Sequence, residues 1–475
     1  MKFLLLAGLI VGPASIDPRV FTFHHENVMG TSCELKVLAR SEAEAEIAES
    51  AVLAEIDRLT RILSGYDPAS EFSRWARTKG EAVKVSPELA EVLALWDKWS
   101  TETGGALNPA IESASRLWRR GTMPEAAALE AAVREMRGPH WRLEANHATR
   151  LGSAPLMLNS FTKSWVIARA TETAMRTGLA SGLMLNVGGD LVARGAMSET
   201  VAIANPRDHS ENAAPLGTLA VRDAAVATSG DYRRGFEIAG QHYSHIIDPR
   251  TAKPVGAVIS ATVVSADAVE AGALATAFNV MTPAESELLA ARHPRAEYML
   301  IASNGQRFTS KGFPAMFVPA PAPAIASADV QVEFELARID SGRYRRPFVA
   351  IWIEDKDRFP VRTVALWYDK ARWLPELTGW TRGDRLRSMA EGTDIASTVS
   401  SATRPPGKYS VKWDGKDQSG KAVKPGKYTI YVEAAREHGG KTLLHQEIDL
   451  GTPAVFPLAG GAEISAAKVE VKKTP

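Results

Sequence analysis

Ala227-Thr228-Ser229-Gly230-Asp231-Tyr232-Arg233-Arg234-Gly235-Phe236, continuing after a hairpin turn into His245-Ile246-Ile247-Asp248-Pro249-Arg250-Thr251, is the most informative stretch of this 475-residue chain. By its residues alone, Asp248-Pro249-Arg250-Thr251 reads as a type I turn closed by an Asx bond, and His245 as a polar residue ending a strand. A histidine beside a Thr-Ser-Gly turn can also offer hydrogen-bond donors to a phosphate or to a flat ring. The residues do not choose between these readings.

Outward from this stretch, strand-like runs such as Leu183-Met184-Leu185-Asn186-Val187 and Ala261-Thr262-Val263-Val264 alternate with segments of helical period. That alternation predicts a mixed α and β domain. Asn186-Val187-Gly188-Gly189-Asp190 ends a strand with paired glycines, where backbone can approach a ligand closely; a tight turn explains it equally well. In Leu158-Asn159-Ser160-Phe161-Thr162-Lys163-Ser164-Trp165 a loop runs into a helix start carrying a lysine, a sensible cradle for a pyrophosphate. Lys163 alone reads as a solvated helix charge. Ser265 to Ala277 is a predicted helix in which Asp267 and Glu270 form a capping-box arrangement. Met29 offers a soft apolar surface, and Tyr66 a ring that can stack on another flat system while its hydroxyl stays solvated.

In this order the blocks resemble the FAD:protein FMN transferase family, also known as the ApbE thiamine-biosynthesis lipoprotein family, over residues 20 to 320. Met29-Gly30-Thr31 and Leu63-Ser64-Gly65-Tyr66-Asp67-Pro68-Ala69-Ser70-Glu71-Phe72-Ser73 match two further family blocks, and Gly104-Gly105-Ala106-Leu107-Asn108-Pro109-Ala110 matches the block lining the same flavin. The resemblance implies that Met29, Tyr66, Ala106, Leu107, Asn108, Lys163 and His245 contact FAD. It further implies that Ser160, through its backbone oxygen, and Thr276 bind magnesium. The implied activity is transfer of the FMN half of FAD to a threonine or serine hydroxyl of an exported flavoprotein, with release of AMP. FAD is then a substrate and magnesium the cofactor, and the acceptor could bring the protein to a membrane. No catalytic base can be assigned.

The sequence departs from the family at three acidic positions: Asn108, Met157 and Gly272 stand where the family has aspartate. Magnesium prefers hard oxygen ligands and usually at least one carboxylate. Glu270 cannot substitute, because two residues along a helix points it to another face. A helical glycine costs about 1 kcal/mol relative to alanine, so the space at Gly272 is either used or merely tolerated. The alternative function is an FAD-binding protein of the same fold that has lost transfer and acts as a flavin-binding or interaction module.

The chain length predicts at least two domains. Pro314 to Ala324, rich in proline and alanine, reads as a stiff linker over 314–327 that holds neither a ladder nor a helix. Beyond it, alternating runs such as Val330 to Leu336 and Val349 to Ile353 predict a small all-β sandwich over 328–460, with 461–475 as a tail. Lys408 to Val432, with Glu437-His438-Gly439 after it, resembles the DUF2271 domain; His438 reads as structural or surface. The fold class is therefore an α+β flavin-transferase-like domain over 20–313 followed by a β-sandwich, joined by few contacts and separable.

Residues 1–15 have a short basic start, a brief apolar run and small residues at a plausible cleavage point, a signal-peptide pattern that predicts an exported or periplasmic location. Cys33 is the only cysteine, which excludes an intramolecular disulfide and leaves lipid anchoring unsupported. With 56 basic and 55 acidic residues and no long single-sign block, there is no electrostatic case for a nucleic-acid partner.

Overall fold

A computed structural model of the chain describes residues 17–230, 235–320, 328–339, 345–369, 371–392, 395–437 and 439–472. The leader, the Asp231 to Arg234 part of the opening motif, residues 321–327 of the proposed linker, and His438 lie outside the described residues.

The N-terminal unit is built on an eight-stranded antiparallel sheet. Its order is Arg19–Val28, Thr31–Ala39, Ala180–Val187, Asp190–Gly195, Ala225–Gly230, Val258–Ser265, Glu297–Ala302 and Arg307–Thr309. In Thr31–Ala39 the alternating residues Cys33, Leu35, Val37 and Ala39 are buried, giving the sheet an apolar face that helices cover. The Glu42–Leu63 helix contributes Ala45, Ala48, Val52, Ile56, Leu59 and Leu63, a stripe at three- and four-residue spacing, and Ser41 caps it by accepting from Glu44 N.

The Phe161–Met175 helix packs beside it and against the Ala268–Val280 helix. In Ala268–Val280 every residue but Glu270 and Thr276 is buried, which explains a composition that is apolar all round. Asp267 caps this helix as predicted, accepting from Val269 N at 2.8 Å. Glu270 does not complete the box; its carboxylate accepts from Ser265 Oγ and meets His293 Nδ1 at 2.9 Å.

Two stretches differ from the sequence reading. Pro314 to Pro319 is not a linker: Phe313–Met316 forms a short helix, and Phe317–Pro319 pairs with the Gly217–Leu219 part of a neighbouring strand. Gly217 makes this possible, since a Cβ there would lie 2.4 Å from Phe317 Cζ, and Pro319 sits at the end of the pairing. Residues 464–472 are not a tail but a central strand of the second unit. Ile464–Lys472 lies between Asp329–Leu336 and Ala454–Ala459, with Ile464, Ala467, Val469 and Val471 buried.

That second unit is a sandwich. One sheet runs Gly407–Trp413, Asp329–Leu336, Ile464–Lys472, Ala454–Ala459, and the other Ser400–Ser401, Pro360–Trp367, Phe348–Asp355, Lys427–Ala435, Lys441–Asp449. Its apolar core includes Val349, Ile351, Trp413, Val432 and Val469. It also carries a 14-residue helix, Thr378–Glu391, anchored by the fully buried Glu433, which accepts from Gly379 N and Trp380 N at 3.0 and 2.9 Å and pairs with Lys441.

The units touch through polar contacts that the sequence reading did not foresee. Lys412 N donates to Asn212 Oδ1 at 2.8 Å and Lys412 Nζ pairs with Asp208 at 3.0 Å, while Arg404 pairs with Glu211 at 3.1 Å. Arg346 reaches Glu26 and Asn27. Among the described residues, no helix is long and apolar enough to cross a membrane.

Candidate functional site

Ser160, at the N-terminus of the Phe161–Met175 helix, has φ 70° and ψ −127° and no side-chain cap hydrogen bond. Such a conformation at a residue with a Cβ costs on the order of 1–3 kcal/mol, and strain of this kind gathers at ligand-binding positions. The Ser160 hydroxyl instead donates across the helix seam to Thr276 Oγ1 at 2.9 Å, and Thr276 Oγ1 donates to Gly272 O at 3.2 Å.

One turn into the same helix, Lys163 Nζ lies 3.2 Å from Asp190 Oδ2 and donates to Gly188 O at 3.4 Å. Ser164 Oγ donates to the same Asp190 oxygen at 3.1 Å. Burial pushes the Asp190 carboxyl above the usual carboxylate range, and Lys163 and Ser164 work against that shift. Gly188 and Gly189, both at positive φ, turn the chain between its two strands. A Cβ on Gly188 would come within 2.6 Å of Thr31 Cγ2, so the glycine lets the turn that follows Met29 close against this loop.

Tyr66, 78% exposed, joins the rim from the other side, because Asn159 Nδ2 donates to its hydroxyl at 3.1 Å. Thus Tyr66, Ser160, Lys163 and Thr276 are neighbours, and the Met29 turn reaches them through Thr31 and Gly188. Asp190 belongs to this group and was missed by the sequence reading. The available signal was a carboxylate directly after a glycine pair, in a fold that brings a lysine to the same loop.

The neutral replacements are packed in. A Cβ on Gly272 would lie 2.4 Å from Ser164 Oγ and 3.1 Å from Phe161 Cα, so the glycine permits close approach of two helices. Met157 lies against Gly65, with its Sδ 2.9 Å from where a Gly65 Cβ would be, and its backbone N donates to Pro109 O at 2.8 Å. Asn108 donates from Nδ2 to Met136 O at 2.8 Å and accepts from Ala110 N at 2.9 Å, so its side chain holds its own loop. Ala106 and Leu107 are buried, and their backbone N–H groups donate to Thr103, Ala106 N to its carbonyl and Leu107 N to its hydroxyl, each at 3.1 Å. A cleft of about 500 Å³ opens beside Gly104, Gly105, Asn108, Trp141 and Arg250; its lining does not include Tyr66, Lys163 or His245.

His245 is half-buried in the bend between the strands Gln241–Ser244 and Ile247–Asp248. The Thr228-Ser229-Gly230 segment, 15 positions before it, is strand, not turn: it pairs with Ser260 to Thr262, with the Thr228 and Thr262 hydroxyls joined at 3.0 Å and Asn279 donating to Ser229 O at 3.2 Å. The Asx turn is as read, with Arg250 N donating to Asp248 Oδ1 at 2.8 Å; the Arg250 guanidinium then ties Asp248 to Glu285.

Ser160 and Thr276, the expected magnesium pair, are brought together but offer neutral oxygens only. Gly272 supplies no carboxylate, and Asp190 is held by Lys163 and Ser164. Among the described residues no cluster of three or more His, Cys, Asp or Glu could hold a metal ion. The donors present do not fit magnesium.

The ApbE family profile matches residues 29–300, and the profile described as "Predicted periplasmic protein (DUF2271)" matches residues 329–466. The FAD:protein FMN transferase of Klebsiella pneumoniae is 27% identical over 291 residues, covering 58% of this chain and 82% of that protein. That of Treponema pallidum is 29% identical over 303 residues, covering 58% and 83%. In fold, the chain is similar to the ApbE protein of Thermotoga maritima, with TM-score 0.57 and 24% identity over 63% of this chain and 99% of that one. The flavin transferase ApbE of Vibrio cholerae gives TM-score 0.54 with 21% identity. The chain belongs to the ApbE family and carries a DUF2271 region after its ApbE domain.

Proposed function

We propose that this protein is an FAD:protein FMN transferase. The acceptor's threonine or serine oxygen forms a bond to the FMN-side phosphorus of FAD, the bond from that phosphorus to the AMP oxygen breaks, and AMP leaves while the hydroxyl proton passes to solvent or a base. The observation that carries this reading is the convergence of Ser160, Lys163 and Asp190 at one helix N-terminus. The N-terminal amides and the Lys163 ammonium supply positive potential for a pyrophosphate, and Asp190 fixes where that ammonium points. Ser160 and Thr276 keep their hydroxyls engaged with one another and with Gly272 O across the seam beside this site. Tyr66, Met29 and His245 are the proposed flavin contacts, with the Ala106 to Asn108 backbone along the ring. No step is routed through magnesium, because the donor set does not fit it.

An exported flavoprotein is the proposed acceptor, and a periplasmic location is supported by the leader-like Met1 to Ser15 and by the DUF2271 description. The test is to incubate the protein with FAD and a flavoprotein bearing a threonine or serine acceptor, with and without magnesium. The reading expects one FMN added to the acceptor by mass and one AMP released. Tight FAD binding with neither product would replace it with a flavin-binding protein.

A further inference from the structure

The turn that carries Met29 is strained and is gripped from the other domain. Asn27 and Met29 have φ 58° and 52°, Gly30 has φ 79°, and the turn closes through Gly30 N donating to Asn27 O at 3.5 Å. Asparagine tolerates the left-handed region, but methionine does not favour it. Left alone, such a turn would exchange among conformations.

Arg346 supplies the constraint. Its Nη2 donates to Asn27 Oδ1 at 2.7 Å and its Nε lies 3.3 Å from Glu26 Oε2, with only 12% of its side chain exposed. Arg346 lies two residues before Phe348–Asp355, an interior strand of one sandwich sheet, so its backbone is tethered close to a rigid element. Tyr368, just past the neighbouring strand Pro360–Trp367, meets His24 edge-on at 6.3 Å, a second contact between the same strand of the hairpin and the sandwich. On the far side of the turn, Thr31 packs on Gly188, whose carbonyl accepts from Lys163. A continuous path therefore runs from the sandwich through Arg346, Asn27, Thr31 and Gly188 to the lysine.

We infer that the C-terminal sandwich is a buttress of the flavin site, with Arg346 as the positioning residue that holds the Met29 turn in its ligand-ready shape. This rests on the transferase reading for what Met29 and Lys163 contact. It assigns the second domain a part in substrate binding, and it means that the domains are not independent in function. One planar group that donates to an amide oxygen and also pairs with a neighbouring carboxyl is a task for arginine rather than lysine.

The test uses the full chain and FAD itself. Arg346→Ala should raise the dissociation constant and the KM for FAD about tenfold, the loss expected for one charge-assisted hydrogen bond, with kcat within about twofold. Arg346→Lys should recover part of the loss. Lys412→Ala, which removes an interdomain ion pair away from the turn, should leave FAD affinity within about twofold. If Arg346→Ala does not fold, Asn27→Gly removes the acceptor while keeping the positive φ and should weaken FAD binding in the same direction. Unchanged FAD affinity in Arg346→Ala or in Asn27→Gly overturns the inference, as does an equal loss in Lys412→Ala, which would report general undocking. Wild-type protein that binds no FAD overturns the transferase reading as well.

Discussion

The two flanks of the seam between the Phe161–Met175 and Ala268–Val280 helices have been treated differently. On one flank the charged apparatus is complete: Lys163 faces a buried Asp190 that Ser164 also contacts. On the other, Gly272 stands where the resemblance expects an aspartate, and its missing Cβ is the space that Ser164 occupies. The same serine thus completes the charged flank and closes the neutral one. The lesson is that the lost carboxylate is not a gap waiting to be refilled, since the helices have closed over it.

Gly272→Asp is the sharpest way to break that comparison. A Cβ 2.4 Å from Ser164 Oγ, followed by an unpaired carboxylate in a helix seam, should destabilise by on the order of 3–5 kcal/mol, read as a fall of several degrees in Tm. Pairing it with Ser164→Gly should return part of the loss. A folded Gly272→Asp protein with wild-type Tm would mean the flank is open after all.

On the charged flank, Lys163→Met keeps the stem and removes the ammonium. FAD affinity should fall roughly 10- to 100-fold, and stability by about 1–3 kcal/mol because Asp190 is left buried without its partner. Adding Asp190→Asn should restore Tm without restoring affinity. Recovery of both would make the pair structural only.

A third prediction concerns the interdomain contact. Burial raises Glu26 to about 7, against the pull of Arg346 and Arg404 and with Asp369 adding to the rise. The folded state therefore binds this proton more tightly than the unfolded state. Its contribution to stability is complete below the ordinary value of 4.5 and is lost as pH rises through about 7. Partial exposure reduces the effect to about 1–2 kcal/mol. In urea titrations Glu26→Gln should flatten the pH dependence between those values, whereas an unchanged profile would place the titration elsewhere. The neighbouring His24 is held below its ordinary value by burial and does not reproduce this slope.

The smallest effect is expected at Tyr66. Tyr66→Phe loses only the exposed bond from Asn159 and should change FAD affinity less than about twofold, while Tyr66→Ala removes the stacking face and should weaken it severalfold. Equal affinities for the two variants would leave the ring without a flavin.

Much of this was legible because it was local. The Asp267 cap, the Asx turn at Asp248 and the alternation in Val330 to Leu336 are each determined within a few residues. The segments around Tyr66 and Lys163 were singled out by residue type, and what the fold adds is the contact of Tyr66 with Asn159 and of Lys163 with Asp190. What escaped depends on distant partners. Asp190 acquires meaning only when Lys163, 27 positions away, arrives beside it. Gly272 is explained by Ser164, and Phe317–Pro319 by a glycine at 217 that leaves room for an aromatic ring. The strand Ile464–Lys472 carries alanines and lysines that weaken its alternation, and its place between two strands comes from the assembled sheet. Arg346 follows a segment without periodicity, so nothing local marks its reach to Asn27.

In the proposed transfer, the Lys163 flank drives the covalent step. The most direct measurement is flavin fluorescence on a denaturing gel of an acceptor flavoprotein incubated with FAD and either wild-type protein or Lys163→Met. A fluorescent acceptor band is expected with the wild type and at least about a hundredfold slower labelling with the variant. An unlabelled acceptor with wild type, or equal labelling by both proteins, would contradict it.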